Sequence, residues 1–159
     1  MSETARIWDL LQRAYEGDVW HGPALRMLLE SVGAAQATAR PIAGAYTIWE
    51  QTVHVAAHED AVRRRVEGEP IGELPPETSW PQVADTSTAA WHATLERFEA
   101  GHRRLREALW SFPDARLNYV VPGRDYPYYL MLYGVVQHAL YHAGQIVLLM
   151  QAQGLEPRG

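Results

Sequence analysis

Of the seven histidines in the chain, four fall into two copies of one spacing: His54 and His58 in "HVAAH", and His138 and His142 in "HALYH". Residues four apart lie on one face of a helix, so each pair would present two imidazoles side by side. Neutral imidazole is a good ligand for zinc, nickel, copper or iron, and a catalytic zinc site commonly combines three protein ligands with one open position. One pair on a rigid helix plus a third ring from a facing helix would meet that count. The competing reading is a set of core histidines bonded to Tyr, Gln or backbone, because a buried polar group left unpaired costs about 1–3 kcal/mol. An inward-facing His54 beside His138 and His142 favours the metal.

The elements that must position these rings are legible from caps and breaks. A first helix is expected near Thr4 to Glu16, and Gly22 and Pro23 then end one helical run and begin another. Residues 34–46, with Pro41 and Gly44, read as a connection. "TIWE" has the form of a capping box, in which Thr47 accepts from the amide of Glu50 and the Glu50 side chain reaches back. It starts a second helix, running to about Glu67 and stopped by Gly68. On that helix Glu59, Asp60, Arg63, Arg64 and Glu67 share an arc expected to be solvated. His54, His58 and Ala61 lie opposite, flanked by Val55 and Val62, so the histidine line points inward.

The stretch "GEPIGELPPETSWPQVADTS" carries four prolines and reads as a long surface loop. Thr86 or Ser87 can cap a third helix that ends before Pro113. Asp125 can cap a fourth, closed by Gly154 and Pro157. Gln145 and Leu149 continue the line of His138 and His142. Only "LNYVV" competes as a strand, and it is short. No repeat or linker argues for a second domain, so residues 1–159 are expected to form one.

Composition narrows the function classes. The chain has 159 residues and no cysteine, which excludes both disulfides and thiolate metal ligands. Its formal net charge of −5 removes the positive field that nucleic-acid binding needs. The expected partners are small molecules or another protein. Tyr126 to Gln153 has no charged residue, yet its four glutamines and two histidines fit a buried helix better than a membrane span. The first residues mix charges and lack an apolar signal core, so a cytoplasmic protein is expected.

"YTIWEQTVHVAAHEDAVRRRVEGE", followed much later by "GVVQHALYHAGQIVLL", resembles the DinB-like, YfiT-type superfamily of four-helix-bundle metal proteins. The resemblance also takes in "AYEGDVWHGPALRMLLESV" and so spans nearly the whole chain; the late "HxxxHxGQI" stretch is its most specific part. It implies an all-α, up-down-down-up four-helix bundle, a divalent metal such as zinc or nickel, and frequently a homodimer. The family's ligands, one histidine on the second helix and two on the fourth, match His54, His138 and His142. His58 stands where many relatives have an aromatic residue, which leaves a fourth ligand or a proton-transfer group open. His21, in "WHGPAL", also matches a recurrent family feature and is a second candidate for proton transfer.

Other polar residues carry less. Glu99 and His102 form one Glu-x-x-His pair, but a ferritin-like di-iron site needs two such pairs and two further glutamates. Trp20 and Trp49 read as core or pocket wall, and "RRLRE" from Arg103 to Glu107 as a solvated face. What the resemblance implies for activity is thiol-dependent S-transfer or hydrolysis, with thiol transfer slightly ahead. Zinc lowers the pKa of bound water to roughly 7 and can hold a thiol as the thiolate. With no cysteine in the chain, a sulfur nucleophile must come from a low-molecular-weight thiol cosubstrate. The alternative is a non-catalytic metal- or ligand-binding bundle. A homodimer is also expected from the fourth helix itself, whose apolar residues Leu130, Tyr133, Val136, Leu140, Tyr141, Val147 and Leu148 exceed what one core covers. The competing expectation there is that residues 68–85, or "RLNYVVPG", fold over that face.

Overall fold

The computed structural model describes residues 1–17 and 20–157. In chain order the elements are α1 (Glu3–Glu16), α2 (Leu25–Glu30), α3 (Ala34–Thr38), α4 (Ile48–Val66), α5 (Pro76–Ser79), α6 (Thr88–Trp110) and α7 (Tyr128–Ala152). Among the described residues one 3-10 turn, Asp114–Arg116, stands between α6 and α7. The protein is all-helical: among the described residues the only β feature is one isolated bridge, Val120 to Pro127, which is all that becomes of "LNYVV".

The long helices start where side chains supply the missing acceptors for their first amides. Ser2 accepts from Ala5 N, and Asp114 accepts from the amides of Glu3 at 2.8 Å and Thr4 at 3.0 Å, tying the start of α1 to a distant loop. The Thr47–Glu50 capping box forms as expected, with bonds of 3.1 and 2.7 Å. Ser87, not Thr86, caps α6 through Ala90 N at 3.1 Å. The fourth long helix departs from expectation. Asp125 does not cap it; Pro127 holds the cap position, and the Tyr128 and Tyr129 amides donate to the carbonyls of Tyr119 at 3.0 Å and Leu117 at 2.9 Å. Backbone carbonyls of the incoming loop have replaced the side-chain cap. Residues 34–46 are not wholly a connection either. The Gln36 side chain accepts from Gly33 N at 2.7 Å and starts the short α3.

Helix α4 packs against α6 and α7, and α1 packs against the same two. The apolar interior falls into two clusters. One gathers Leu25, Leu28, Ile48, Trp49, Trp91, Phe98 and Ile146; the other gathers Ile7, Leu11, Val62, Leu105, Leu109, Leu132 and Val135. Burying one such side chain contributes about 1.5–3 kcal/mol, so the clusters supply most of the drive to pack. His58 and Glu59 on α4, His102 on α6, and His138 and His142 on α7 fall between the two clusters along the chain. The polar groups therefore sit at mid-height on helices whose ends are clamped by apolar packing. No helix among the described residues is long and apolar enough to cross a membrane.

Two surface expectations change. Glu59 does not share the solvent with Asp60; it is 2 % exposed and pairs with His102, also 2 % exposed, at 3.0 Å. It faces α6, where a buried carboxylate finds its partner on another helix. Glu99 instead reaches Arg26 at 3.6 Å, so the Glu-x-x-His spacing on α6 brings no pair together. Arg106, within "RRLRE", is mostly covered, its guanidinium over the Trp8 ring and Nη1 on Glu16 at 2.5 Å.

Candidate metal centre

Helix α4 brings His54 inward, and α7 brings His138 and His142 to meet it. One nitrogen from each of the three lies within 4.8 Å of the others, with His54 and His142 buried and His138 half-buried. The Nε2 atoms of His54 and His142 are each 3.1 Å from His138 Nε2.

The outer ring nitrogens decide which protons the inner ones carry. His54 Nδ1 lies 2.6 Å from the Ser79 carbonyl, an acceptor only, so Nδ1 carries the hydrogen. His142 Nδ1 contacts Oε1 of Gln51, whose own amide donates to Gln145 Oε1 at 2.6 Å. Both rings therefore turn an unprotonated Nε2 toward His138. His138 Nε2 could donate to only one of them, and its Nδ1 is buried without a partner. Without a cation, at least one pair of lone pairs faces another at contact distance. A divalent ion resolves this, because three lone pairs converging on one point is what it requires, and carbonyl acceptors behind ligating imidazoles are the usual way of orienting them. The residues present fit a metal ion.

Electrostatics point the same way. Burial, reinforced by the neighbouring imidazoles, pushes His138 down to about 3 and His142 to about 4, and burial lowers His54 as well. The cluster is neutral at physiological pH and ready to ligate. An aromatic stack holds it in place: Trp80 lies flat on His54 at 3.7 Å, and Tyr46 on Trp80 at 3.6 Å.

His58 stands one turn beyond His54, with Nε2 2.9 Å from Ser79 Oγ, and it lines a cavity together with His138. It is not part of the three-nitrogen group. Burial, then His54 and Arg65, lower it to about 4, so it too is uncharged at neutral pH. His21 is not brought to the cluster. It is exposed and lines an apolar groove with Leu140, and Leu140 lies two residues from both His138 and His142, on the opposite face of α7. Trp49 is buried, whereas Trp20 is fully exposed. A larger groove of about 800 Å³, between α4, residues 81–85 and the start of α6, contains no histidine.

Sequence reasoning did not single out Gln51, Ser79 or Trp80. Gln51 precedes His54 by three residues, a spacing that puts it on the histidine face, and this was the available signal. Ser79 and Trp80 come from the Pro-rich loop, whose docking no local pattern announces.

The fold and site define an all-helical protein with a three-histidine cluster suited to a divalent metal. A family model, that of the DinB superfamily, matches residues 19–146, and the chain belongs to that superfamily. No curated protein and no solved structure matches it significantly.

Proposed function

We propose that this protein is a cytoplasmic, divalent-metal-dependent enzyme acting on a small molecule, thiol S-transferase-like or hydrolase-like, with zinc or nickel at His54, His138 and His142. The observation that carries the reading is the convergence of three Nε2 atoms, two of them fixed as lone pairs by Nδ1–H bonds to the Ser79 carbonyl and Gln51. A divalent ion held there supplies Lewis acidity, which favours the deprotonated form of a water or of a thiol cosubstrate near neutral pH. The chain's own part is positioning and proton movement. Gln51 and the Ser79 carbonyl orient two of the ligands, the Tyr46–Trp80–His54 stack excludes water from one side, and His58, neutral and at the cavity wall, takes or returns a proton.

We propose further that residues 1–159 form one domain with the up-down-down-up course of the family bundle. In support, α1 and α7 run from the second apolar cluster to the first, and α4 and α6 run the other way. A homodimer through α7 is part of the same proposal: Leu130, Tyr141 and Leu148 are each more than half exposed, and neither loop covers them. Elemental analysis of purified protein tests the metal. Turnover of a thiol with a chromogenic electrophile, in metal-loaded against stripped protein, tests the activity. Metal without turnover would favour the non-catalytic binding bundle.

A further inference from the structure

A cavity of about 300 Å³ lies between the second half of α4 and the first half of α7, with His58 and His138 in its wall. Along α4 it runs from His58 to Arg65, seven residues or about 10 Å of helix axis. Arg65 is only 5 % exposed. Its Nε donates to the Ile71 carbonyl at 2.9 Å and its Nη2 to the Gly72 carbonyl. These bonds occupy the side-on edge of the guanidinium. Among the described residues no carboxylate pairs with Arg65, Nη1 has no hydrogen-bond partner, and no acidic side chain lines the cavity. A second cation stands nearby, because Arg124 lies 5.0 Å over the ring of Tyr126, itself part of the wall.

A cation covered to this extent and given no counter-charge is costly unless its free edge is met by water or by an anion, and the unpartnered Nη1 of Arg65 is not sealed off by protein. Tying residues 71–72 to α4 does not account for it, since a neutral donor would satisfy two carbonyls equally well. The tie does fix the guanidinium. Gly123, at φ +80°, packs so closely that a Cβ there would come within 3.0 Å of the Pro70 and Ile71 carbonyl carbons, and the loop so seated backs the strap on which Arg65 rests. The open Nη1/Nη2 fork matches one planar carboxylate, and with the other edge engaged it offers less to a phosphate dianion. Apart from Gln137, the remaining wall, including Val62, Met131 and Val135, is apolar.

We propose that this cavity binds a small carboxylate, its carboxyl on Arg65, its apolar body against Val62, Met131 and Val135, and its far end beside His58 and His138. The proposal rests on reading the histidine cluster as the reaction centre and names the charge of the molecule that reacts there.

The test is calorimetric titration of the zinc-loaded chain with 3-phenylpropionate and with its neutral amide. The acid should bind about tenfold tighter or better, the worth of one charge-assisted hydrogen bond. In Arg65→Gln the preference should vanish while zinc content is unchanged. Equal binding of acid and amide to the wild-type chain, or a preference that survives in Arg65→Gln, would overturn the proposal. Should Arg65→Gln not fold, NMR on the wild-type chain decides: the bound acid must show contacts to the Val62 and Val135 methyls, and their absence overturns it. Titration with 3-mercaptopropionate identifies which reactant carries the carboxylate. A gain over 3-phenylpropionate that needs zinc assigns it to the thiol cosubstrate, and equal binding with and without zinc assigns it to the other reactant. A chain that holds no zinc yet keeps the Arg65-dependent preference sinks the metal reading and leaves this one standing.

Discussion

Replacing Gln51 by Leu isolates what fixes a ligand's orientation from the ligand itself. Gln51 is 2 % exposed; its carbonyl oxygen accepts from His142 Nδ1 and its amide donates to Gln145 Oε1 at 2.6 Å. Leucine fills nearly the same volume and offers neither bond. The His142 Nδ1–H is then buried without an acceptor, at a cost of about 1–3 kcal/mol. The ring can relieve that cost by moving its hydrogen to Nε2, the atom that must be bare to ligate. Metal binding then has to reverse the shift, so the penalty is drawn directly from affinity. The expected loss is about 10- to 100-fold, or roughly 1.4–2.7 kcal/mol, in line with the usual effect of removing a group behind a ligating histidine. The assay is competition for zinc against a chromophoric chelator, with circular dichroism to show that the helices persist. Gln145→Leu is the control: it leaves Gln51 on His142 and should cost less. An unchanged zinc affinity in a folded Gln51→Leu chain would refute the claim that Gln51 sets the His142 tautomer.

Alanine at His54, His138 or His142 should each strip most of the metal, because two imidazoles hold a divalent ion poorly, whereas His58→Ala should retain it and lower turnover; equal loss from His58→Ala, read by elemental analysis, would make His58 a ligand. In metal-free protein the histidines sit below their ordinary 6.5, at about 3 for His138 and about 4 for His58 and His142, so the unfolded chain takes up protons first. Their contribution is therefore complete above about pH 6.5 and is lost as pH falls toward 3–4, which urea midpoints measured from pH 7 to 4 should follow; a flat profile would contradict the burial described. Removing one partner of the Glu59–His102 pair, as in Glu59→Ala, should destabilise the fold by about 3–5 kcal/mol, and the double Leu replacement should cost less, both read from thermal unfolding.

How much was legible in the sequence divides by range. Capping boxes and helical faces are local, so Thr47, Glu50 and Ser87 start their helices as read, and the i, i+4 histidines turn inward as read. What failed depended on partners outside the helix being read. Glu59 resembles its solvated neighbours Asp60 and Arg63 until α6 places His102 against it, 43 residues later. Asp125 is a reasonable cap until the carbonyls of Leu117 and Tyr119 arrive first. The three-histidine cluster was readable because each half of it is a local pattern; Ser79 and Trp80 were not, because a Pro-rich segment has no period to betray which of its residues will dock.

The Tyr46–Trp80–His54 stack makes the protein its own optical gauge. Indole emission is sensitive to whatever lies against its face, and Trp80 lies 3.7 Å from the ring of one candidate ligand. An ion with a partly filled d shell, such as nickel, held by His54 would stand one imidazole away from that fluorophore and open a non-radiative path for its excited state. Zinc, with a filled shell, offers no such path and would leave the emission bright. The identity of a bound ion would thus be written into the brightness of a residue that is not among its candidate ligands.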